Sequence, residues 1–561
     1  MKKNLLLTLC LLLGAFHLSF SQNIEKSASK SRKSIFKITA YDADGLKRNE
    51  SNGFFIDKAG TAITDFSVIK GADRAEITTS SGDKYPVAMI LGKDDLYDVA
   101  KLKIDIDKSQ CTEKSETAAT ENSPVYVVRP SENRTYTAGK ITSASDIKGG
   151  LKYYSAASET FSIEKSLPAL NEEGKLIGIT QPNYDQDSTI FYILDINIAD
   201  SLSTNAFSIY DRELAGINIM KALPADAGQA EIAMLLAEQA LPADKYAQYI
   251  EQYMQLFPKS RAPYEKAAYY YLGQDDMKNA EKNIKQAMDY EPNKAEAHYI
   301  MANFIYNVTA AKPDAQDRDR NLDEAEKEID KAIENNPLPL YMQLKANICI
   351  AAGKNDEALR YLHTVNRSNM ATKETLGKEI SLMETSGAGQ DDIINELDSM
   401  IVYMEETNAT LVPDLIYEKA MRKSAAGKYT DAIKDMQLYY ESVSGNVSDI
   451  FYYNRKQMAM EARLYQMALD DITKAIELNP QENLYRLEKA ALHIITRDYE
   501  KAADTLQEVL AQMPDSPDAN RLMGLAMLGK GDKEKAGQYF KTAIANGDQL
   551  AKDLYEKNCN E

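Results

Sequence analysis

The sequence contains no tryptophan, little histidine or cysteine, and no excess of positive charge. Its 561 residues include four histidines and four cysteines, and 66 Lys and Arg stand against 85 Asp and Glu, a net charge of −19. A nucleic-acid-binding protein usually needs a basic face that displaces counterions from phosphates. The acidic balance therefore predicts that nucleic acid is not a partner.

Cysteine is too sparse and too scattered for a disulfide framework. Cys10 lies in the N-terminal apolar run, and the remaining three cysteines, Cys111, Cys349 and Cys559, are far apart and odd in number. Disulfide-rich domains need an even set, and zinc knuckles need close spacing. We expect two buried thiols and one thiol in the tail. We predict no metal site and no cofactor, since no glycine-rich loop suits a phosphate either.

Apolar runs long enough to span a membrane, which needs about 20 residues, are absent beyond the N-terminus. Residues 1–21 have the pattern of a bacterial signal peptide: two lysines, an apolar core at 5–13, and small residues before a cleavage site at Gln22. Cys10 lies inside the apolar core, so no lipid anchor is expected. We predict an exported, soluble protein, with the periplasm favoured and a secreted or surface-associated location as the alternative.

Two regions of different character meet near residue 205. Before it, short runs rich in β-branched residues alternate with Gly, Asp and Asn, which is typical of an all-β sandwich or barrel. After it, long stretches rich in Ala, Leu, Glu, Lys and Met carry apolar residues at helical spacing. The predicted strands are Ile35–Tyr41, Ala62–Thr64, Ala75–Thr79, Val99–Ile104, Val125–Val128, Leu176–Thr180 and Ile190–Ile193.

The second region repeats itself every 34 residues. Ala468, Ala502 and Ala536 are separated by this interval, and so are Pro480 and Pro514. Small residues suit the close crossing of two helices, and proline ends a hairpin because it cannot continue a helix. Each unit is predicted to be a helix, a tight turn and a second helix, which must stack on its neighbours to bury its apolar face.

This pattern resembles the tetratricopeptide repeat family. In residues 261–294 the family's signature positions hold Tyr264, Ala268, Ala280, Ile284, Ala287 and Pro292. The next unit carries a polar insertion around 313–321, and residues 225–260 and 371–410 resemble degenerate hairpins. The resemblance implies an all-α solenoid of about eight helical hairpins over residues 225–555, preceded by a linker at 206–224.

In that family the first helix of each hairpin lines a concave groove that takes peptides or partner proteins. The resemblance therefore implies a protein or peptide partner. Tyrosine suits such a surface because its ring is rigid and apolar with a polar tip, although the same rings could instead pack between helices. The acidic excess indicates a partner with a neutral or basic surface, or it merely keeps this protein soluble. The groove positions are Tyr269, Tyr299, Asn303, Tyr306, Tyr417, Tyr453, Gln457 and Arg521.

Residues 33–205 resemble the trypsin-like serine proteases, closest to the Deg or high-temperature-requirement branch. The segments that carry the resemblance are Ser51–Asp57, Asp98–Ile104, Gly174–Ile179 and Phe191–Asn197. It implies two packed six-stranded β-barrels. The fold class predicted for the whole chain is therefore a trypsin-like double β-barrel followed by a tetratricopeptide-repeat solenoid.

The same resemblance implies that the catalytic triad is degenerate. Ser67 stands where the family has histidine, Asp98 keeps the acid position, and Lys165 stands where the family has its serine nucleophile. Independently of any alignment, the β-region contains no histidine: His17 lies in the predicted signal peptide, and His298, His363 and His493 lie in the repeats. A serine nucleophile needs a base that takes its proton. We expect Asp98 to be a hydrogen-bonding acid of a turn.

Our hypothesis is a non-catalytic exported scaffold or adaptor that binds proteins through the repeats. One alternative is a divergent serine hydrolase, with Ser166 or a Ser162-x-x-Lys165 pair as the reactive group, or with a base borrowed from His298 or His363. A second alternative is a glycan-binding envelope protein that uses the tyrosine-rich groove. The sequence predicts neither the partner's identity nor the oligomeric state.

Overall fold

The computed structural model describes residues 23–131, 135–158, 163–182, 189–312 and 318–559. The chain divides into two compact units, one up to Glu291 and one from Pro292 onward. The predicted signal peptide at 1–21 and Ser162 lie outside the described residues. Within these ranges, no helix has both the length and the apolarity that crossing a bilayer requires.

A six-stranded barrel follows the first helix, α1 (residues 23–32). Its strands are β1 (Ile35–Tyr41), β2 (Lys47–Phe55), β3 (Thr61–Thr64), β4 (Arg74–Thr79), β5 (Lys84–Asp94) and β6 (Val99–Ile104). They pair in the order β5-β4-β1-β2-β3-β6, and antiparallel pairing of β5 with β6 closes the ring. The side chains that point inward are apolar, and Ile38, Ile77 and Leu102 are fully buried.

A second closed barrel follows, with its strands in the order β10-β11-β12-β9-β8-β7. The strands predicted from β-branched runs in both barrels are confirmed to within two residues at each end. The bounds in the second barrel are β7 (Pro124–Val128), β8 (Tyr136–Asp146), β9 (Lys152–Ser158), β10 (Pro168–Leu170), β11 (Leu176–Gln181) and β12 (Ile190–Asp195).

The segment predicted as a linker, residues 206–224, is folded. It follows the short helix α2 (Ile198–Ser201) and contains α3 (Arg212–Ala215) and β13 (Met220–Lys221), which pairs in parallel with β5. Ile217 and Ile219 of this segment belong to the core of the first barrel. The segment therefore attaches the chain to the outside of that barrel before the repeats begin.

Helical hairpins occupy the rest of both units, nine of them among the described residues, where about eight were expected. The degenerate stretches 225–260 and 371–410 each form a complete pair. The first unit ends with α4 (Ala227–Ala240), α5 (Ala243–Leu256), α6 (Arg261–Gly273) and α7 (Met277–Tyr290). The side chain of Gln252 on α5 accepts a hydrogen bond from Leu223 N (3.0 Å), so the first hairpin is held against the strand that precedes it.

The second unit contains seven further hairpins and a single last helix in its described part. Fully buried alanines lie where paired helices cross, among them Ala468, Ala502 and Ala536, which confirms the role predicted for them. The helices are α8 (Lys294–Ala311), α9 (Arg318–Asn335), α10 (Pro339–Ala351), α11 (Asn355–Val365), α12 (Lys373–Thr385), α13 (Gln390–Thr407), α14 (Val412–Ala425), α15 (Tyr429–Ser442), α16 (Asp449–Glu461), α17 (Tyr465–Leu478), α18 (Asn483–Ile495), α19 (Tyr499–Gln512), α20 (Pro517–Gly529), α21 (Lys533–Ala545) and α22 (Gln549–Asn558).

None of the three cysteines beyond the N-terminal run forms a disulfide. Cys349 on α10 is buried, whereas Cys111 and Cys559 are half-buried. Of the two buried thiols that the sequence led us to expect, the structure places one in a core.

Candidate functional site

The three degenerate triad positions meet between the two barrels. Ser67 lies in the short helical turn Phe66–Ile69 that follows β3, and Asp98 directly precedes β6. Lys165 lies in the loop before β10. Asp98 has a positive φ of 46°, a backbone conformation that aspartate tolerates better than most residues. The structure therefore brings these three positions together, although they are up to 98 residues apart.

Ser67 is held by two carboxylates and one ammonium group. Its backbone N–H donates to Asp98 Oδ1 (2.6 Å), and its Oγ lies 2.8 Å from Asp98 Oδ2 and 2.9 Å from Asp65 Oδ2. Lys165 Nζ donates to the same Oγ at 3.3 Å. Asp98 is thus the hydrogen-bonding acid of a turn that we expected, and its partner is the residue that stands in the histidine position.

Asp65 is the centre of this network. Its side chain is 4% exposed and forms an ion pair with Lys165 Nζ at 2.8 Å. Ser166 Oγ donates to its Oδ1 at 2.7 Å, and Ser51 Oγ donates to the same oxygen. Burial favours a raised pKa for Asp65, but the hydrogen bonds from Lys165 and Ser51 and the charge of Lys165 outweigh it, so the pKa is lowered. The carboxylate stays ionised because the groups that donate hydrogen bonds to it stabilise its negative charge.

The loop that carries Lys165 is tied down by its own backbone. Ser166 N donates to Thr180 O (2.8 Å) and Leu167 N donates to Thr180 Oγ1 (2.9 Å), while Thr180 Oγ1 donates to Glu164 O (2.8 Å). Ser166 itself is buried with φ of 61°. These bonds fix the loop in the shape that aims Lys165 at Asp65. The polar side chains of this site are thereby hydrogen-bonded to one another.

Asp65 and Ser51 were not predicted from the sequence. Asp65 contacts Lys165 and Ser166 across about 100 residues of chain, and Ser51 joins the network through Asp65. A signal was present, however. A lysine that replaces the serine nucleophile at a partly buried position needs an acid beside it to balance its charge. Asp65 is the acid that adjoins the vacated histidine position in Thr64–Val68.

A small, mostly apolar cleft of about 420 Å³ adjoins Asp98. Leu96 at its rim is 82% exposed, and the ring of Tyr97 lies 6.1 Å from that of Tyr153, which in turn stacks on Tyr192 at 5.8 Å. The remaining lining residues come from the β8–β9 hairpin and the end of β11. The cleft can hold an apolar side chain next to the Ser67–Asp98 pair.

The predicted groove residues of the repeats do not gather at one point. Tyr269 belongs to the first unit and the other seven to the second. Gln457 is exposed, and the rest are half-buried. Three of the tyrosines pack against a ring of a neighbouring helix, with centroid distances of 5.0, 5.0 and 5.4 Å for Tyr299–Tyr341, Tyr417–Tyr439 and Tyr453–Tyr485.

Arg521, the predicted groove position nearest the C-terminus, donates to Asp548 Oδ2 at 2.7 Å and also pairs with Asp518. This arginine therefore links α20 to the start of α22. In contrast, Gln457 Nε2 donates to Tyr453 OH at 3.0 Å, and both side chains remain accessible along one edge of α16. Of the eight predicted positions, Gln457 alone is exposed, and the half-buried Tyr453 lies beside it.

Family models described as tetratricopeptide repeat match residues 457–517 and 493–557. A solved structure of the serine endoprotease from Yersinia pestis is similar, at 18% identity and a TM-score of 0.27. That match covers 32% of this chain and 64% of the Yersinia chain, slightly under two thirds of its length. No curated protein matches this sequence. The chain thus combines two closed, antiparallel six-stranded β-barrels with an array of helical hairpins that includes tetratricopeptide repeats.

Proposed function

We propose that this protein is an exported, non-catalytic adaptor, which binds a protein partner through its repeats and keeps a protease-like barrel pair without hydrolytic activity. The repeats imply protein partners. The ion pair between Asp65 and Lys165 is the observation that carries the inactive part of the proposal. Export rests on the N-terminal sequence pattern alone.

The chemistry of the Asp65–Lys165 network opposes nucleophilic catalysis. An ammonium donates hydrogen bonds and has no lone pair, so Lys165 cannot take a proton from Ser67 while it is paired with Asp65. Removing the proton from Ser67 would also place an alkoxide against the carboxylates of Asp65 and Asp98. Like charges at such distances repel strongly in a partly buried site. Ser166 meets the same obstacle, since its hydroxyl donates to Asp65.

Labelling with a fluorophosphonate probe tests the absence of an activated serine. We expect no labelling of the purified full chain beside an active trypsin control, and the same result for Ser67→Ala and Ser166→Ala. Labelling that either substitution removes would overturn the proposal and favour the hydrolase alternative. Labelling that neither removes would point to a serine elsewhere and would also contradict it.

The edge of α16 formed by the half-buried Tyr453 and the exposed Gln457 is the part of the repeats that we propose contacts the partner. Tyr453 has a matched control on the same helix, because the neighbouring Tyr452 faces Phe451 instead, at 5.3 Å between ring centroids. Truncating a tyrosine that anchors an interface commonly costs about 2 kcal/mol or more, which is roughly a 30-fold loss of affinity.

Affinity purification of the tagged chain from its own cell envelope, followed by binding assays with the recovered partner, tests this step. We expect Tyr453→Ala to weaken binding at least about tenfold and Tyr452→Ala to leave it nearly unchanged. Circular dichroism must show both variants folded. Equal losses in the two variants would mean that the edge is not the contact surface. Recovery of peptidoglycan or another glycan in place of a protein would favour the glycan-binding alternative.

A further inference from the structure

Three successive helices of the second unit place an imidazole and two carboxylates at one point. They are His363 on α11, Glu379 on α12 and Glu396 on α13. His363 Nδ1 lies 3.3 Å from Glu379 Oε1 and 3.6 Å from Glu396 Oε1. One ligand atom from each of the three side chains lies within 4.8 Å of the other two.

The spacing of these atoms matches the coordination shell of a small divalent metal. Zinc binds imidazole nitrogen and carboxylate oxygen at about 2.0–2.2 Å, so neighbouring ligand atoms of a tetrahedral site lie about 3.4 Å apart. The two distances from His363 Nδ1, 3.3 and 3.6 Å, are close to that edge length. Three protein ligands of this kind leave the fourth position of the tetrahedron for another donor.

The charges around Glu379 are unbalanced. Its side chain is 3% exposed, and the carboxylate of Glu396 lies close to the same imidazole nitrogen. A permanent cation beside them is Arg367, which donates to Glu396 Oε1 at 2.6 Å. Two carboxylates thus face one guanidinium group. A divalent cation would supply further positive charge at a point where Glu379 is buried and His363 remains half-exposed to solvent.

The amide beside Glu379 supports the same interpretation. Asn366 is 1% exposed and its Nδ2 donates to Glu379 Oε2 at 2.7 Å. This hydrogen bond leaves Oε1 of the carboxylate facing His363. Asn366 Oδ1, although buried, finds no hydrogen-bond partner among the residues that the structure describes. A carboxylate held by an amide on one oxygen and aimed with the other is the usual arrangement of an oriented metal ligand.

We propose that His363, Glu379 and Glu396 bind one divalent transition-metal ion, with Zn²⁺ the best match, and that the ion ties α11, α12 and α13 together. An imidazole ligand disfavours Ca²⁺ and Mg²⁺, which prefer oxygen donors throughout. Arg367 must release His363 Nδ1, which lies 2.8 Å from its Nη1. It can do so because its Nη2 keeps Glu396 and Ser399 as partners at 2.6 and 3.2 Å.

A second cluster in the same unit shows what a site that needs no metal looks like. Glu326, Cys349 and Glu357 also lie within ligand distance of one another. However, Lys345, which is 2% exposed, reaches two of these groups and Asp330 with its Nζ, and so already supplies a cation. Burial raises the pKa of the Cys349 thiol to about 12, so its thiolate form is disfavoured. We therefore assign no ion to this cluster.

The sequence did not predict the His363 cluster because His363 and Glu379 lie 16 residues apart on separate helices, outside the short spacings of known metal motifs. The proposal does not depend on the adaptor function. It concerns the degenerate hairpin at 371–410, whose two helices supply Glu379 and Glu396.

Titration of the full chain with Zn²⁺ against a chromophoric chelator tests the proposal. We expect one ion per chain that His363→Ala weakens by about 100-fold or more, since even loss of an outer-sphere partner costs 10–100-fold. Glu379→Gln should weaken binding similarly, while its uncharged amide relieves the buried charge and keeps the helices folded. His298→Ala is the matched control, because His298 pairs with a single carboxylate, Glu328, at 2.7 Å.

Co²⁺ in place of Zn²⁺ separates this site from binding to free thiols. Coordination by His363 and carboxylates gives the visible bands of tetrahedral Co²⁺ without the sulfur charge-transfer bands that Cys111 or Cys559 would add. Zn²⁺ should also raise the melting temperature of the wild type but not of His363→Ala, because the ion binds only the folded site. Equal Zn²⁺ affinity in wild type and His363→Ala, or the absence of stoichiometric binding, would overturn the proposal.

Discussion

The two regions of the chain differ in how far apart in sequence their contacting residues lie. In the barrels, partners such as Asp65 and Ser166 are 101 residues apart, and the pairings β1–β4, β3–β6, β7–β10 and β9–β12 join strands that are not consecutive in sequence. In the repeats, each helix packs chiefly on the helices just before and after it. Damage should therefore spread through a barrel, whereas in a repeat array it stays close to where it is made.

The two regions also treat a buried carboxylate differently. Asp65 in the barrels has an ammonium and two hydroxyl donors arranged around it, and its pKa is lowered. Glu379 in the repeats shares one guanidinium group with a second carboxylate, and its pKa is raised. The former network is closed to further ligands, whereas in the latter a cation can bind once Arg367 releases His363 Nδ1. This difference is why we assign a ligand to the repeats and none to the degenerate triad.

The largest expected effect is that of adding a methyl group at Gly178 in β11. A Cβ there would collide with Ile193 Cγ2 and with the backbone oxygen of Leu194 on β12. Because backbone of a closed barrel cannot yield, we expect Gly178→Ala to lower the free energy of unfolding of the first unit by about 3 kcal/mol. Hydrogen exchange by mass spectrometry should show faster exchange across both β11 and the strands on its two sides.

Gly524 on α20 is the matched position in the repeats. A Cβ there would lie 2.5 Å from Cε1 of Phe540 on α21, a ring that is fully buried but can shift. We expect Gly524→Ala to cost about 1–2 kcal/mol and to accelerate exchange only in the last three hairpins. Faster hydrogen exchange over the whole second unit in Gly524→Ala would contradict this difference between the two regions. Faster exchange confined to β11 in Gly178→Ala would contradict it as well.

The next effect in size concerns Lys165. Lys165→Met leaves Asp65 buried without its ammonium, and we expect a loss of about 2 kcal/mol at pH 7, reduced from the usual cost of a broken buried pair because Lys165 is partly exposed. The lowered pKa of Asp65 adds stability above its unfolded value of about 3.9, and this contribution is lost as the pH falls through the folded value.

The stability difference between wild type and Lys165→Met should therefore shrink as the pH is lowered and disappear below the lowered pKa of Asp65, where the carboxyl group is protonated in both proteins. Urea unfolding at a series of pH values measures it. Lys165→Arg, which keeps the positive charge, is the control and should lose less than Lys165→Met at pH 7. A difference that does not change with pH would mean that Lys165 acts through packing and not through its charge.

The comparison between the regions also explains how much the sequence could predict. The repeat positions could be predicted because a tetratricopeptide hairpin is specified by residues close together in sequence. Ala468, Ala502 and Ala536 lie at equivalent helix crossings, and all three are fully buried. Strands such as β1 and β6 were readable for the same reason, since alternating apolar residues mark them. The meeting of Ser67, Asp98 and Lys165 required the resemblance to a known fold, because no local pattern joins them.

What could not be predicted depends on contacts between separate elements. Asp65 gains its role from a lysine 100 residues away, Ser51 gains its role through Asp65, and His363 gains its carboxylates from two other helices. The structure of residues 206–224 could not be predicted for the same reason, since β13 is a strand only through its pairing with β5. Sequence periodicity carries no information about such encounters.

The smallest expected effect tests how strictly the repeats are local. Arg463, Arg497 and Gly531 lie 34 residues apart in the turns between paired helices, with φ values of 58°, 62° and 85°. An L-residue in this left-handed region is strained by about 1 kcal/mol relative to glycine. Arg497 is exposed, so Arg497→Gly should stabilise its hairpin by up to about that amount, and Gly531→Arg should destabilise by a similar amount.

Urea unfolding with hydrogen exchange should localise each change to its own turn and the adjacent helices. If Arg497→Gly destabilised instead, the arginine side chain would have to make contacts worth more than the backbone strain, and the turns of the array would not be interchangeable.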